Sequence, residues 1–177
     1  WAEDAQRRDF RLNALYADAD GTVFDPTGGL KDVENRRFVF VGDPEMRIRE
    51  DYLRILRLFR FEAWYGRGAP DEAAMAAVLK HREGLHKLSV ERVWAELKKL
   101  LAAQDPLAAV TAMRESGLLD LILGVNGSLR VLSGIIAQDV EYGLAPDSML
   151  RFAALADGGP ERIRTMAAKM KMSKAEA

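Results

Sequence analysis

Apolar positions along the chain fall into two regimes. Over the first forty or so residues they come in short runs broken by turn formers; after Asp43 they recur at three- and four-residue spacing. In the first regime LNALYAD is an apolar-rich run, Ala19-Asp20-Gly21 is a turn and TVF is a second run before Asp25-Pro26, a pattern that predicts a β-hairpin. DPTGGLKD follows as a turn containing Gly28-Gly29, Leu30 to Asn35 predicts a short helix, and the branched, alternating RFVFVG predicts a further strand.

Pro44, preceded by Asp43 as N-cap, opens the second regime. The stretch from about Glu45 to Trp64 predicts one long helix: Leu53, Leu56, Phe59 and Trp64, with Ile55, Leu58 and Phe61, recur at helical spacing until Gly66 and Gly68 stop it. Further helices are predicted in DEAAMAAVLKHREG, opened by Asp71, in SVERVWAELKKLLAA with Ser89 as cap, and in PLAAVTAMRES up to Gly117. LLDLIL, SLRVLSGIIAQDV, APDSMLRFAALA and PERIRTMAAKMKM continue the series with Gly or Pro between them. The fold class expected is therefore α+β, mainly α, with the compositional break near Asp43.

Composition narrows the function classes. The chain has 177 residues, 49% hydrophobic and 30% charged, which suits one ordinary domain or two small ones and excludes disorder and a collagen-like repeat. Lys plus Arg number 26 against 27 acidic residues, so any nucleic-acid contact must rest on a local basic face. With no cysteine there is no disulfide, thiolate metal site or cysteine nucleophile. His81 and His86 lack ligand partners at metal-site spacing, so no metal site is expected on them. No apolar run reaches the roughly 20 residues that span a bilayer, and WAEDAQRRDF has no signal-peptide design, so a cytoplasmic protein without membrane contact is expected. The opening lacks an initiator methionine and MKMSKAEA ends within helical text, so the chain is expected to be a piece of a longer protein.

The segment Glu50-Asp51-Tyr52-Leu53-Arg54-Ile55-Leu56-Arg57-Leu58-Phe59-Arg60-Phe61 is the most unusual text. On one helix Asp51, Arg54, Arg57 and Arg60 form a stripe that drifts around one half of the cylinder, with the apolar side chains on the other. A carboxylate one turn from a guanidinium offers an acceptor beside a fork of donors, which suits a base edge, and further arginines suit phosphates. The same stripe is also what a solvated face with an i,i+3 ion pair looks like, worth about 0.2 to 0.5 kcal/mol. Arg7-Arg8-Asp9 precedes the first strand signal, where a turn aims cations at a phosphate and the carboxylate at a sugar hydroxyl, or is merely a charged surface loop. Gly28-Gly29 reads as a plain turn rather than a phosphate loop, since neither GxGxxG nor a Walker sequence is present. Lys98, Lys99, Arg162, Arg164, Lys169, Lys171 and Lys174 are phosphate-contact candidates that would equally serve solubility.

DAQRRDFRLNALYADADGTVFDPTGGLKD, RFVFVGDPEMRIREDYLRILRLFRF and LSVERVWAELKKLL follow one another in an order that resembles the bacterial tRNA nucleotidyltransferase and poly(A) polymerase family, class II branch. The resemblance covers roughly 3–101 and is colinear; later helices agree only in character. It implies that 1–43 is the C-terminal part of a nucleotidyltransferase αβ head, 44–116 a helical neck with a nucleotide-reading helix, and 117–177 the start of an RNA-binding helical body.

It implies further that Arg8 and Asp9 contact the incoming nucleotide, Asp9 toward the ribose. Asp51 and Arg54 would read ATP or CTP through their base edges, Arg57 and Arg60 would support nucleotide binding, and Arg7, Glu91 and Arg92 would support the site. Arg11 stands where the family usually has Thr. The family's glycine-rich loop and Asp-x-Asp pair for two Mg²⁺ ions should precede RRD and are not in this text, so no catalytic or metal residue is assigned in the chain, and the chain alone is expected to be inactive. The parent is expected to be an enzyme that adds nucleotides to an RNA 3′-end with Mg²⁺, ATP and CTP. CCA addition to tRNA is the first expectation and poly(A) addition the alternative; a non-catalytic helical RNA-binding module or a purely structural scaffold are readings from other classes.

Overall fold

A computed structural model describes residues 1–124, 127–156, 158–173 and 176. Helix α1 (Ala2–Ala5) and a 3₁₀ turn (Arg11–Asn13) lead into the antiparallel hairpin of β1 (Tyr16–Ala17) and β2 (Val23–Phe24), in register Tyr16 to Phe24 and Ala17 to Val23. Helix α2 (Gly29–Asn35) follows, and from α3 (Pro44–Glu50) onward the described chain is helical. The hairpin and the short helix agree with the sequence pattern. The strand expected at RFVFVG does not form: Phe40 makes one isolated bridge to Phe10, through Arg11 N–H to Val39 O and Val41 N–H to Asp9 O, each 2.9 Å. Its neighbour curls into the 3₁₀ turn at Arg11, which leaves a strand there no further ladder to join.

The long helix expected over 45–64 is a second correction. It is two helices, α3 and α4 (Leu53–Tyr65), with Asp51 between them in extended conformation. Asp51 Oδ1 accepts from Leu53 N–H at 3.0 Å, the local bond by which aspartate competes with helix continuation. The stops and caps read from the sequence hold elsewhere: Asp43 accepts from Met46 N–H to start α3, Asp71 from Ala74 N–H to start α5 (Glu72–His81), and Ser89 from Arg92 N–H to start α6 (Val90–Leu101). Helices α7 (Leu107–Glu115), α8 (Leu118–Leu123), α9 (Leu129–Tyr142), α10 (Ser148–Ala156) and α11 (Pro160–Lys169) complete the described order.

One apolar core runs from Phe10, Phe38 and Phe40 through α4, α6 and α7 to Phe152 and Met170. Each large side chain fully buried there contributes about 1.5 to 3 kcal/mol of transfer free energy, so the first forty residues are held to the helices by their phenylalanines. Phe38 stacks on Phe61 at 5.5 Å between ring centres, and Phe10 meets Phe61 edge-on at 5.5 Å. Among the described residues no helix is long and apolar enough to cross a membrane.

Candidate functional site

The RRD segment and the α3–α4 junction, more than forty residues apart in sequence, meet in an open cleft of about 290 Å³ lined by Arg7, Arg8, Asp9, Asn13, Asp51, Leu53, Arg54, Arg57 and Arg92. Arg47 ties its two sides together: the guanidinium donates to Gln6 O and to Val41 O on one side and to Glu50 at 2.9 Å on its own helix. Arg54 donates to Glu50 and, at 2.8 Å, to Arg47 O. Its Nε–H is in none of these bonds and its Nη2 is engaged only by a 3.4 Å contact to Arg7 O, so donors remain for a ligand.

Asp9 is 5% exposed. Its carboxylate accepts from Phe10 N–H at 3.1 Å, from Asn13 Nδ2 at 2.6 Å and from Arg57 Nε. Burial pushes this carboxyl up, but the hydrogen bonds from Arg57 and Asn13 and the arginine's charge outweigh it and hold Asp9 below the usual carboxylate range. Asp51, about a third exposed, accepts from Leu53 N–H and, at 2.7 Å, from Arg92 Nη2, and each oxygen keeps a second lone pair. Arg8 forks onto Asp4 at 2.8 and 3.1 Å, and Tyr16 Oη donates to the same carboxylate at 2.7 Å.

The structure therefore brings Arg7, Arg8, Asp9, Asp51, Arg54, Arg57 and Arg92 together and leaves two expected residues elsewhere. Arg60 lies outside the cleft, against Glu96 at 3.1 Å and over the Phe61 ring at 4.3 Å. Glu91 pairs with Lys171 at 2.7 Å. Arg11 forks onto buried Asp32 of α2 at 2.7 and 2.9 Å, so the cation standing at the family's threonine position points away from the cleft. The amides after Gly28 are satisfied by the chain's own anion: Asp25 accepts from Gly29 N–H at 2.8 Å and Leu30 N–H at 3.0 Å. Asn13, Arg47 and Glu50 belong to the site and were not singled out by sequence; the i,i+3 and i,i+4 spacing of Glu50 to Arg47 and Arg54 is the signal that was available.

Of the phosphate-contact candidates, Lys98, Lys99, Arg164 and Lys171 are in ion pairs with Glu176, Glu96, Glu161 and Glu91. Lys174 lies outside the described residues. His81 and His86 sit beside Glu45 and Glu83 at 3.2 and 3.5 Å, and no group of three or more metal-ligating side chains occurs among the described residues. Away from the cleft, burial pushes the Glu62 carboxyl up to about 7, with the Asp71 charge adding to the shift and Arg37 opposing it.

Comparison with known proteins matches two segments of the chain. Residues 1–39 match the Poly A polymerase head domain, and residues 69–124 match the probable RNA and SrmB-binding site of polymerase A. The mouse (Mus musculus) protein "CCA tRNA nucleotidyltransferase 1, mitochondrial" is 37% identical over 161 residues, 88% of this chain and 36% of its own length. The chain belongs to the class II tRNA nucleotidyltransferase and poly(A) polymerase family. Within this family the CCA-adding enzyme of Levilactobacillus brevis is 44% identical over 117 residues, 66% of this chain and 29% of the relative. The crystal structure of the Bacillus stearothermophilus CCA-adding enzyme in complex with CTP superposes with a TM-score of 0.68 at 29% identity, covering 98% of this chain and 40% of that one. The Thermotoga maritima CCA-adding enzyme complexed with tRNA shares the fold, with a TM-score of 0.74 at 18% identity over 99% of this chain and 46% of that one. The chain spans about a third of the length of these curated family members, 36% of one and 29% of the other.

Proposed function

We infer that the cleft binds a nucleoside triphosphate and reads its base, and that the parent protein adds nucleotides to an RNA 3′-end, with CCA addition to tRNA as its reaction. The observation that carries this reading is the convergence of Arg7 to Asp9 with Asp51, Arg54 and Arg57 in one cleft. Cytosine and adenine each present an exocyclic amino donor beside a ring nitrogen acceptor. The free lone pairs of Asp51 would accept from the amino group while the free donors of Arg54 reach the ring nitrogen. Uracil and guanine place a carbonyl where the amino group stands, facing the Asp51 carboxylate with an acceptor and losing the pair. Arg57, held by Asp9, and the exposed Arg7 and Arg8 surround the cleft with positive charge for the triphosphate.

Nucleotidyl transfer in this reading uses Mg²⁺, and the described residues do not fit a site for it. The Asp9 oxygens are taken by Arg57, Asn13 and a backbone amide, Asp51 is held by Arg92, and no other carboxylate joins them in a cluster. We therefore assign metal binding and bond making to the part of the parent outside these residues. Names in the family also favour a second reading, poly(A) addition, because both matched domains are named for polymerase A.

The test is incorporation of labelled CTP and ATP by the full-length parent onto a tRNA lacking its terminal CCA. Ordered C, C, A addition is expected. Extension by A alone would transfer the assignment to poly(A) addition, and RNA binding without incorporation would reduce it to a non-catalytic module.

A further inference from the structure

Beyond the cleft, the C-terminal end of α4 exposes two flat rings. Trp64 is 45% and Tyr65 58% exposed, although both end a helix whose other large apolar side chains are mostly buried. The two rings divide two cavities. One, of about 280 Å³, is lined by Arg60, Phe61, Trp64, Tyr65, Lys99 and Ala102; the other, of about 570 Å³, has Arg36, Val33 and Phe38 among its walls. Each is large enough to take a planar heterocycle against a ring face.

The tryptophan is pre-set for such a contact. Its indole Nε1–H donates to Lys99 O at 2.7 Å, which fixes the ring by its edge and leaves a face to solvent. Three cations line the two cavities: Arg60 and Lys99, which share Glu96, and the exposed Arg36, which is in no ion pair among the described residues, while Asp32 in the second wall is taken up by Arg11. This local charge stands out in a chain whose net charge is −1. Trp64 also follows Arg57 by two helical turns, about 10 Å along the axis, so the shelf and the cleft lie in line on one helix.

Exposed aromatic faces at fixed orientation, spaced by cations, are the chemistry that holds unpaired nucleic-acid bases. We propose that Trp64 and Tyr65 form a stacking shelf for single-stranded RNA, with Arg36 and Lys99 drawing its phosphates. The proposal rests on the RNA partner inferred above but not on the base-reading role of Asp51 and Arg54.

The experiment is anisotropy of a fluorescently labelled short oligoadenylate titrated with the 177-residue chain, its Trp64→Leu, Trp64→Phe and Trp1→Leu variants, each checked for native circular dichroism. Trp64→Leu is expected to weaken binding by about fivefold or more, the loss of one stacked base. Trp64→Phe should restore most of it, and Trp1→Leu should bind like the unmodified chain. Equal binding by Trp64→Leu, equal binding of an abasic strand of the same length, or no binding at all would overturn the shelf. So would a concentration-dependent self-association abolished by Trp64→Leu, which would make the face a contact between copies. ATP binding by Arg54→Ala, measured alongside, separates failure of the shelf from failure of the cleft.

Discussion

Two Arg–Asp constellations in this molecule use the same chemistry to opposite ends. In the helical half, Arg151 of α10 is wholly buried and donates to Leu101 O at 2.8 Å, Ala103 O, Gln104 O at 3.2 Å and Asp139 at 2.7 Å. It closes the carbonyl end of α6 and leaves only its Nε–H without an acceptor. In the cleft, Arg54, Arg57 and Arg92 are partly exposed and each keeps donors in reserve. A guanidinium whose donors are spent on carbonyls and buried with its counter-ion stabilises one packing. One left at a cleft mouth with part of its fork free keeps its chemistry for a ligand.

That contrast breaks most visibly at Arg151. Arg151→Met should destabilise the chain by about 3 to 5 kcal/mol, because Asp139 is left charged and buried, and urea unfolding followed by circular dichroism measures it. Replacing Asp139 by Leu in the same chain should recover part of that loss. Arg54→Ala should leave stability within about 1 kcal/mol yet cost nucleotide binding about 1.5 to 3 kcal/mol, read by calorimetric titration of ATP and CTP. A loss of stability without a loss of affinity would place Arg54 with Arg151 instead. Arg92→Ala releases an exposed ion pair, so its stability cost is expected at about 0 to 1 kcal/mol, with the preference for ATP and CTP over UTP as the quantity that falls.

Two pH effects sharpen the same distinction. Asp9 has a lowered pKa in the folded chain, so its stabilisation is present above the unfolded value and is lost as pH falls through the folded one. Glu62 has the opposite sign: raised to about 7 from an ordinary 4.5, it binds a proton more readily in the folded state, and stability declines as pH rises between those values. Glu62→Gln should flatten that decline in thermal melts recorded across the interval.

Where cap chemistry marks an element, the sequence is a sufficient guide: Asp43, Asp71 and Ser89 start the helices they were expected to start, and Ala19-Asp20-Gly21 turns the hairpin. Periodicity misled at Asp51, because three-residue repeats run across a junction that only the aspartate's own hydrogen bond and Arg92 reveal. The arginine stripe suffers for the same reason it was noticed. Steps of three residues drift by about 60° each, so Arg54 and Arg57 share a face while Arg60 has rotated off it toward Glu96. The pairings of Arg11 with Asp32 and of Arg151 with Asp139 were not legible, although a lone cation inside the apolar run MLRFAALA marks Arg151 as a residue in need of a partner.

The break at Asp51 also has a consequence for the order in which the chain assembles. Leu53 N–H is paired with a side chain that Arg92 steadies from across 41 residues of sequence, rather than resting on helix bonds alone. Closing so long a loop comes at an entropic cost that local helix formation does not bear. Helices α4 and α6 can therefore form before the turn between α3 and α4 acquires its shape. Deuterium uptake at the Leu53 amide would then time the docking of one helix on another, and the cleft lined by this turn would be among the last features of the fold to mature.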